Sequence, residues 1–277
     1  MKHLAILALG ALCAGCGDNL SHPPDRPDYT NDAGPLQCVP NLDGKIEAAE
    51  LKTVLDVPVS YVVSPPGQER AVDLVGETDG AGHSIWDFSQ DFASDTKATI
   101  SATALTDKWF QASFPNGQWV APVDAGGSIE GIYSADDQAI YLHGIASKEE
   151  APAAGKTLVV YDAPVAVYRL PLVPGASWVS VGKAANAMIN GLPYAGTDTY
   201  EAKDDATGQV LLHDFTFTQV HRLRTKVTLA PAAGATQVTR QVSFMFECYG
   251  EVARVTSKTG EPNEDFTSAA EVRRLGQ

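Results

Sequence analysis

Positive charge is scarce in this 277-residue chain, which has 20 lysines and arginines against 34 aspartates and glutamates and a formal net charge of −14. Binding to nucleic acid relies on Lys and Arg that displace counterions from phosphates, so this balance argues against a DNA or RNA partner. Apolar runs are short, and none reaches the ~20 residues that a membrane-spanning helix needs. The hydrophobic fraction of 44% still provides for a packed core in one large domain or two small ones.

Recognisable catalytic signatures are also missing from the sequence. The six histidines are scattered, and no His-Glu-x-x-His or similar pair is present to hold a catalytic zinc. No Gly-x-Ser-x-Gly nucleophile elbow and no Gly-rich phosphate loop occurs. Acidic pairs such as Asp136-Asp137 and Asp204-Asp205 have the surroundings of solvated loops, and adjacency in sequence does not make a catalytic pair. These features favour a non-catalytic protein and leave the question of enzymatic activity open.

The first sixteen residues have the organisation of an export signal. Lys2 supplies a positive charge, a short apolar stretch follows over residues 4–12, and small residues precede Cys16. The end of this signal resembles the lipobox of bacterial lipoproteins and runs Leu12-Cys13-Ala14-Gly15-Cys16, with Cys13 where Leu is usual. The resemblance implies a signal peptide over 1–15, cleavage before Cys16 and acylation of that cysteine with palmitate or a similar chain. Ordinary secretion with a free Cys16 is the alternative.

The residues after Cys16 predict where the anchored protein resides. Gly17 occupies the position at which an Asp retains enteric lipoproteins in the inner membrane, so the resemblance implies the outer membrane. Residues 16–37 form an acylated cysteine and a flexible linker, because Pro, Asp, Asn and Gly dominate and no periodicity is present. Loss of residues 1–15 removes Lys2 and changes the charge from −14 to −15, so the lipid anchors the protein without help from a basic patch.

Two cysteines remain for the domain, Cys38 and Cys248. In an oxidising compartment an even pair most simply forms a disulfide, which here ties the start of the domain to a strand near its end. Two buried free thiols are the alternative.

Residues 41–51 carry the one motif with coordination chemistry. With Gly44 at the sixth position, this segment resembles the second part of an EF-hand calcium loop. The resemblance implies oxygen ligands from Asn41, Asp43, Lys45 (through its backbone carbonyl) and Glu50. Val39 stands where the first Asp ligand belongs, which favours an ordinary turn followed by a short helix from Ile46 to about Leu55. Apart from this weak Ca²⁺ site, no cofactor is predicted.

From Val57 onward apolar and polar residues alternate with period two, interrupted by Gly, Pro, Asp and Asn. The clearest strands run over 215–229 and 238–248. The pattern predicts an all-β, mainly antiparallel domain over 38–277, built as a single large sandwich or half-barrel with one or two short helices. This domain is predicted to begin with the turn-helix segment 41–55.

Less regular segments yield finer predictions. A strand over 108–114 is predicted to turn at Asn116-Gly117 into a second strand over 118–123. Besides the segment 41–55, helices are predicted at 183–190 and 266–275.

Three segments carry a faint family resemblance. In strand order and in a Gly-x-x-Trp turn, residues 168–178, 207–210 and 215–224 resemble half-barrel envelope proteins of the lipoprotein-carrier type. The resemblance implies one curved sheet around an apolar cavity.

Two features of the strand at 215–229 allow alternatives. The lone His221 on its apolar face is expected to be a hydrogen-bonded core residue and not a base. Arg222, Arg224 and Lys226 form a basic stripe, which pairs with acidic neighbours across the sheet or meets an anionic partner.

Together these features predict a membrane-anchored lipoprotein of the bacterial cell envelope with a non-catalytic binding or structural role. Its expected partners are the membrane, through the N-terminal lipid, and an apolar ligand or another envelope protein. The alternative is a secreted hydrolase that acts on envelope or extracellular polymers. A large apolar cavity favours the first hypothesis, and a His-oriented Ser or two converging carboxylates favour the second.

Overall fold

Sixteen β-strands form one sheet in the computed structural model, which describes residues 38–276. In chain order the strands are β1 (Val59–Val63), β2 (Arg70–Ala71), β3 (Glu77–Thr78), β4 (Ser84–Phe88), β5 (Thr96–Ile100), β6 (Thr103–Ala104), β7 (Trp119–Pro122), β8 (Ile129–Ala135), β9 (Ala139–Ser147), β10 (Leu158–Arg169), β11 (Ser177–Ile189), β12 (Leu192–Leu212), β13 (Thr216–Pro231), β14 (Gln237–Phe246), β15 (Gly250–Ser257) and β16 (Ser268–Leu275). Single turns of 3-10 helix occur at Ala48–Glu50 and Gln111–Ser113. The all-β prediction is confirmed, whereas the predicted signal peptide, Cys16 and linker lie outside the described residues.

The main path of the sheet is antiparallel throughout. Strands β6 to β16 pair in sequence order, and β1 and then β5 continue the path beyond β16. Only Ser101 and Ala102 separate β5 from β6, so the chain itself brings the two ends of the path close together. The sheet is open, since β5 and β6 do not pair, and it is strongly curved, since its two ends lie close together.

A parallel strand and its partner lie off this path. Strand β4 pairs with β12 in parallel, and β3 extends β4. Gly208 permits this pairing, since a Cβ at that position would lie 2.3 Å from the Ser84 carbonyl oxygen. Strand β2 pairs with the start of β16.

The sheet packs against apolar side chains on both faces. On one face, Leu74, Trp86 and Phe88 from the chain around β4 pack against Phe244 and its neighbours on β13–β16. The segment between β6 and β7 covers a second part of the sheet through a cluster around Phe110. The opposite face carries the two remaining clusters, one of which includes residues of the N-terminal segment. All these clusters belong to one compact unit, Cys38–Gln277, which contains its own core.

Several finer predictions are wrong. The predicted helices at 183–190 and 266–275 are parts of β11 and β16, because pairing with β12 and β15 decides their conformation against weak local preference. The predicted helix from Ile46 to Leu55 is only the turn Ala48–Glu50. Residues 108–114 do not form the predicted strand in the structure, so the predicted hairpin does not form either. Phe110 and Phe114 instead lie four residues apart around a 3-10 turn, in one cluster.

The long strands at 215–229 and 238–248 are confirmed as β13 and β14, with one correction. Phe217 and Val220 pack in the cluster around Phe244, whereas Leu223 belongs to a different cluster. Gln219 has a φ of 56°, and the register with β12 shifts between Gly208 and Val210. Side chains after this bulge point to the opposite face of the sheet from the one that period two predicts. The single apolar face therefore does not extend along the whole strand.

Candidate functional site

A cavity of about 370 Å³ lies against the inner face of the curved sheet. Its walls come from the whole path of the sheet, from Tyr61 on β1 and Ile100 on β5 at one end to Trp119 on β7 at the other. Residues so far apart in strand order face one space only if the sheet curves around it. The volume lies within the range of about 300–1,000 Å³ that is typical of small-molecule sites.

Aromatic and aliphatic side chains dominate the cavity wall. The aromatic residues are Tyr61, Trp119, Tyr133, Tyr168 and Tyr200, and aliphatic residues such as Leu142 and Val167 fill the spaces between them. Trp119 and Tyr133 stack with ring centroids 6.1 Å apart. A wall of this kind removes apolar surface of a ligand from water.

The N-terminal segment is fastened beside this cavity. The predicted Cys38–Cys248 disulfide is confirmed, with Cα atoms 5.6 Å apart. The carboxylate of Glu247 accepts hydrogen bonds from the backbone N–H groups of Asn41 and Leu42, at 2.6 and 2.8 Å. Farther along, Ile46 packs in a cluster that contacts the cavity residue Tyr168, and Thr53 itself lines the cavity.

Two arginines and one glutamate form an ion-pair group at the cavity. Arg273 Nη2 lies 2.6 Å from Glu251 Oε1, and Arg254 Nε lies 2.8 Å from Glu251 Oε2. Ser243 Oγ donates to the same Oε2 at 2.7 Å. Burial by itself would raise the pKa of Glu251, but the two guanidinium groups and the hydroxyl lower it overall. Burial by itself would lower the pKa of Arg254, but Glu251, with smaller contributions from Tyr168 and Tyr133, raises it overall. Both charges are therefore present at neutral pH.

Tyrosines surround this ion-pair group. Tyr61 donates its hydroxyl hydrogen to the backbone carbonyl of Glu251 at 3.0 Å, and burial raises its pKa to about 12. Burial likewise raises the pKa of Tyr133 and Tyr168. These hydroxyls therefore stay protonated at neutral pH, and each can donate a hydrogen bond.

Two further buried polar groups have their own partners. Asp198 accepts hydrogen bonds from the hydroxyls of Tyr161 and Tyr194, at 2.7 and 3.0 Å. His221 Nδ1 lies 2.7 Å from Asp204 Oδ2, and both side chains are buried. His221 is thus the hydrogen-bonded core residue that the sequence predicts. Asp204 lies inside strand β12 and not in the predicted loop.

The four predicted calcium ligands lie close together and bind one another. Glu50 accepts hydrogen bonds from Asn41 Nδ2 at 2.9 Å and from the backbone N–H of Glu47 at 2.8 Å. Asp43 Oδ1 accepts from the backbone N–H of Lys45 at 3.2 Å. The Glu47–Glu50 pair is a capping box for the 3-10 turn. Over residues 38–276 no group of three or more His, Cys, Asp or Glu side chains is arranged to hold a metal ion.

The basic stripe on β13 pairs with acidic neighbours, as the favoured interpretation predicts. Arg222 and Arg224 share Asp205, with N–O distances of 2.7 and 2.6 Å, and Lys226 lies 2.6 Å from Glu201. Burial by itself would raise the pKa of Asp205, but its two arginines lower it overall.

One serine–histidine contact bears on the alternative of a hydrolase. Ser134 Oγ on β8 lies 2.7 Å from His143 Nε2 on β9, and partial burial lowers the pKa of His143. In the described chain the ion pairs of histidine involve His83, His213 and His221, and not His143. The pair thus has a nucleophile and a base without the acidic group that orients the base in a triad.

Sequence reasoning missed the residues that give the cavity its charge. Arg273 lies in a segment that was predicted as a helix, and Glu251 and Arg254 are in a strand that was not singled out. The signal that could have found them is an arginine next to apolar residues in a β-pattern, since Arg is seldom buried without a partner.

Searches of protein-family models, curated proteins and solved structures find no significant match to this chain. The fold and site define an all-β protein with one curved, mainly antiparallel sheet around a cavity. In residues 38–276 no helix is long and apolar enough to cross a membrane.

Proposed function

We propose that this protein is a lipid-anchored lipoprotein of the bacterial cell envelope whose domain binds a small, largely apolar ligand inside the curved sheet. The observation that carries this proposal is the cavity of about 370 Å³ with its wall of aromatic and aliphatic side chains. Concave apolar sites with a few placed polar groups are typical of ligand binding. The role is non-catalytic, and the expected partners are the ligand in the cavity and the outer membrane at acylated Cys16.

The binding of a ligand is tested on residues 17–277, which retain the whole compact unit. Native mass spectrometry of the protein exported without its anchor is expected to detect a bound apolar mass, and N-phenylnaphthylamine is expected to gain fluorescence on binding. The same spectra with added Ca²⁺ test the weak calcium loop.

A matched pair of variants locates the binding. Ala121→Phe places a ring in the cavity wall and is expected to weaken binding of the fluorophore at least about tenfold, since the ring occupies the ligand's space. Ala185→Phe adds the same ring at an exposed position on β11 and is expected to leave binding unchanged. Absence of a bound mass and of fluorophore binding in the unaltered protein would overturn the proposal.

A hydrolase is the second candidate, and the contact between Ser134 and His143 favours it. Hydrolysis of short p-nitrophenyl esters that disappears in Ser134→Ala, while fluorophore binding persists, would support this alternative. Equal rates in the variant and the unaltered protein would reject Ser134 as a nucleophile.

A further inference from the structure

Arg273 has an unmet requirement for hydrogen-bond acceptors. Its side chain lines the cavity although the residue is only 4% exposed. Nη2 is paired with Glu251, whereas Nε and Nη1 are buried and have no partner. A buried charged donor without an acceptor is costly, so such a group in a protein marks a place where an acceptor is expected.

The cavity wall carries positive charge, which attracts an anion. The lining residues include Arg254 and Arg273 and no acidic residue. Behind them, Glu251 is the one carboxylate bonded to both arginines, so this group of three carries one excess positive charge. Arg254 donates to Glu251 and the Val123 carbonyl, whereas Arg273 is paired with Glu251 through Nη2 alone and has two donors without an acceptor. Of the other buried carboxylates described above, Asp198 is bonded to tyrosine hydroxyls and Asp204 to His221.

Neutral donors reinforce this preference. Tyr133 and Tyr168 line the same cavity, and both are near enough to Arg254 and Arg273 for these charges to affect their ionisation. A protonated tyrosine hydroxyl donates to an oxyanion. The wall also carries aliphatic residues, among them Ile140, Leu142 and Val227.

From this arrangement, which rests on the proposed function, we infer that the ligand is an anionic amphiphile. Its carboxylate or phosphate head binds the guanidinium group of Arg273, and its hydrocarbon part lies against the apolar residues of the cavity. Carboxylate and phosphate heads share the chemistry that Arg273 requires, and the two are separated by experiment.

The test compares ligands that have one chain and different heads. Dodecanoate, dodecyl phosphate, dodecanol and dodecyltrimethylammonium are titrated into residues 17–277, below their micelle concentrations, with displacement of N-phenylnaphthylamine as the signal. At least one anionic ligand is expected to bind about tenfold or more tightly than dodecanol, and the cationic ligand most weakly. The tighter of the two anions identifies the head group.

Variants assign the preference to one side chain. Arg273→Met keeps an unbranched apolar stem and is expected to reduce the anion's advantage over dodecanol to about twofold or less. Arg273→Lys keeps the charge and is expected to restore part of the advantage. Lys203→Met removes an equal charge at an exposed position on β12 and is expected to have no effect.

The outcomes separate this inference from the proposed function. If dodecanol and both anions bind the unaltered protein equally, the inference is wrong while the apolar site remains. If none of the four ligands binds, the proposed function fails as well. The comparison of head groups in the unaltered protein decides the matter even if Arg273→Met does not fold.

Discussion

At the scale of single residues, Glu251 is the carboxylate that two arginines of the cavity wall share. It is bonded to Arg254, Arg273 and Ser243, and within residues 38–276 it is the one carboxylate that pairs with these two arginines. Loss of one member of a buried ion pair leaves the others uncompensated, which costs more than the pair itself contributes.

We therefore predict that Glu251→Gln lowers the free energy of unfolding by about 3–5 kcal/mol at pH 7. Urea denaturation followed by tryptophan fluorescence measures this change. Glu264→Gln is the control, because the Glu264 side chain is 71% exposed and its loss is expected to cost less than about 0.5 kcal/mol.

The comparison of Glu251→Gln with the unaltered protein also tests the pKa of Glu251. Because its pKa is lower in the folded protein than the usual 4.5, the ionised carboxylate stabilises the fold above that value. This contribution is lost as the pH falls through the folded-state pKa. The stability difference between Glu251→Gln and the unaltered protein should therefore shrink below pH 4.5, and a difference that stays constant from pH 7 to pH 3 would contradict the assignment.

At the scale of elements, one disulfide joins the N-terminal segment to the turn between β14 and β15. Cys38 and Cys248 are 210 residues apart, and the chain-entropy model assigns a loop of this length an upper limit of about 5 kcal/mol. Contacts of Glu247 with Asn41 and Leu42 hold the same two elements together without the disulfide.

We predict that the double variant Cys38→Ala/Cys248→Ala loses about 2–5 kcal/mol of stability and that reduction no longer affects it. Urea denaturation with and without a reducing agent measures both effects. Peptide mapping of the unreduced protein is the direct check, and alkylation of both cysteines there would show the disulfide to be absent.

At the level of β-strands, alternation predicted most of β13 and β14 but not the bulge at Gln219. A single residue in the left-handed region shifts the alternation, and no local residue pattern marked it, since Gln has no special preference for positive φ. For similar reasons β11 and β16 were mistaken for helices. Their Ala, Asn, Glu and Arg residues suit helices, and only pairing with β12 and β15 makes them strands.

At the scale of the whole molecule, the proposed anchor and the proposed ligand site are independent. The anchor requires Cys16, whereas the cavity is built within residues 38–276. An overall charge of −14 provides no electrostatic attraction to anionic lipid, so the proposed attachment depends on the acyl chains.

We predict that Cys16→Ser abolishes labelling with radioactive palmitate. The unaltered protein should carry the label and float with membranes in a density gradient, and Cys13→Ser is the control because that cysteine is expected to leave with the signal peptide. Equal labelling of Cys16→Ser and the unaltered protein would reject the proposed acylation site.

The sequence by itself determined the class of fold and the one covalent cross-link. Period-two alternation and turn residues are local properties that report strands directly, and two cysteines in the domain leave one pairing to consider. The tertiary structure alone decided that strands as far apart along the sheet as β5 and β7 share one cavity. It also decided that Glu251, Arg254 and Arg273 meet at its wall, because curvature and long-range pairing depend on contacts between distant residues that no local pattern encodes.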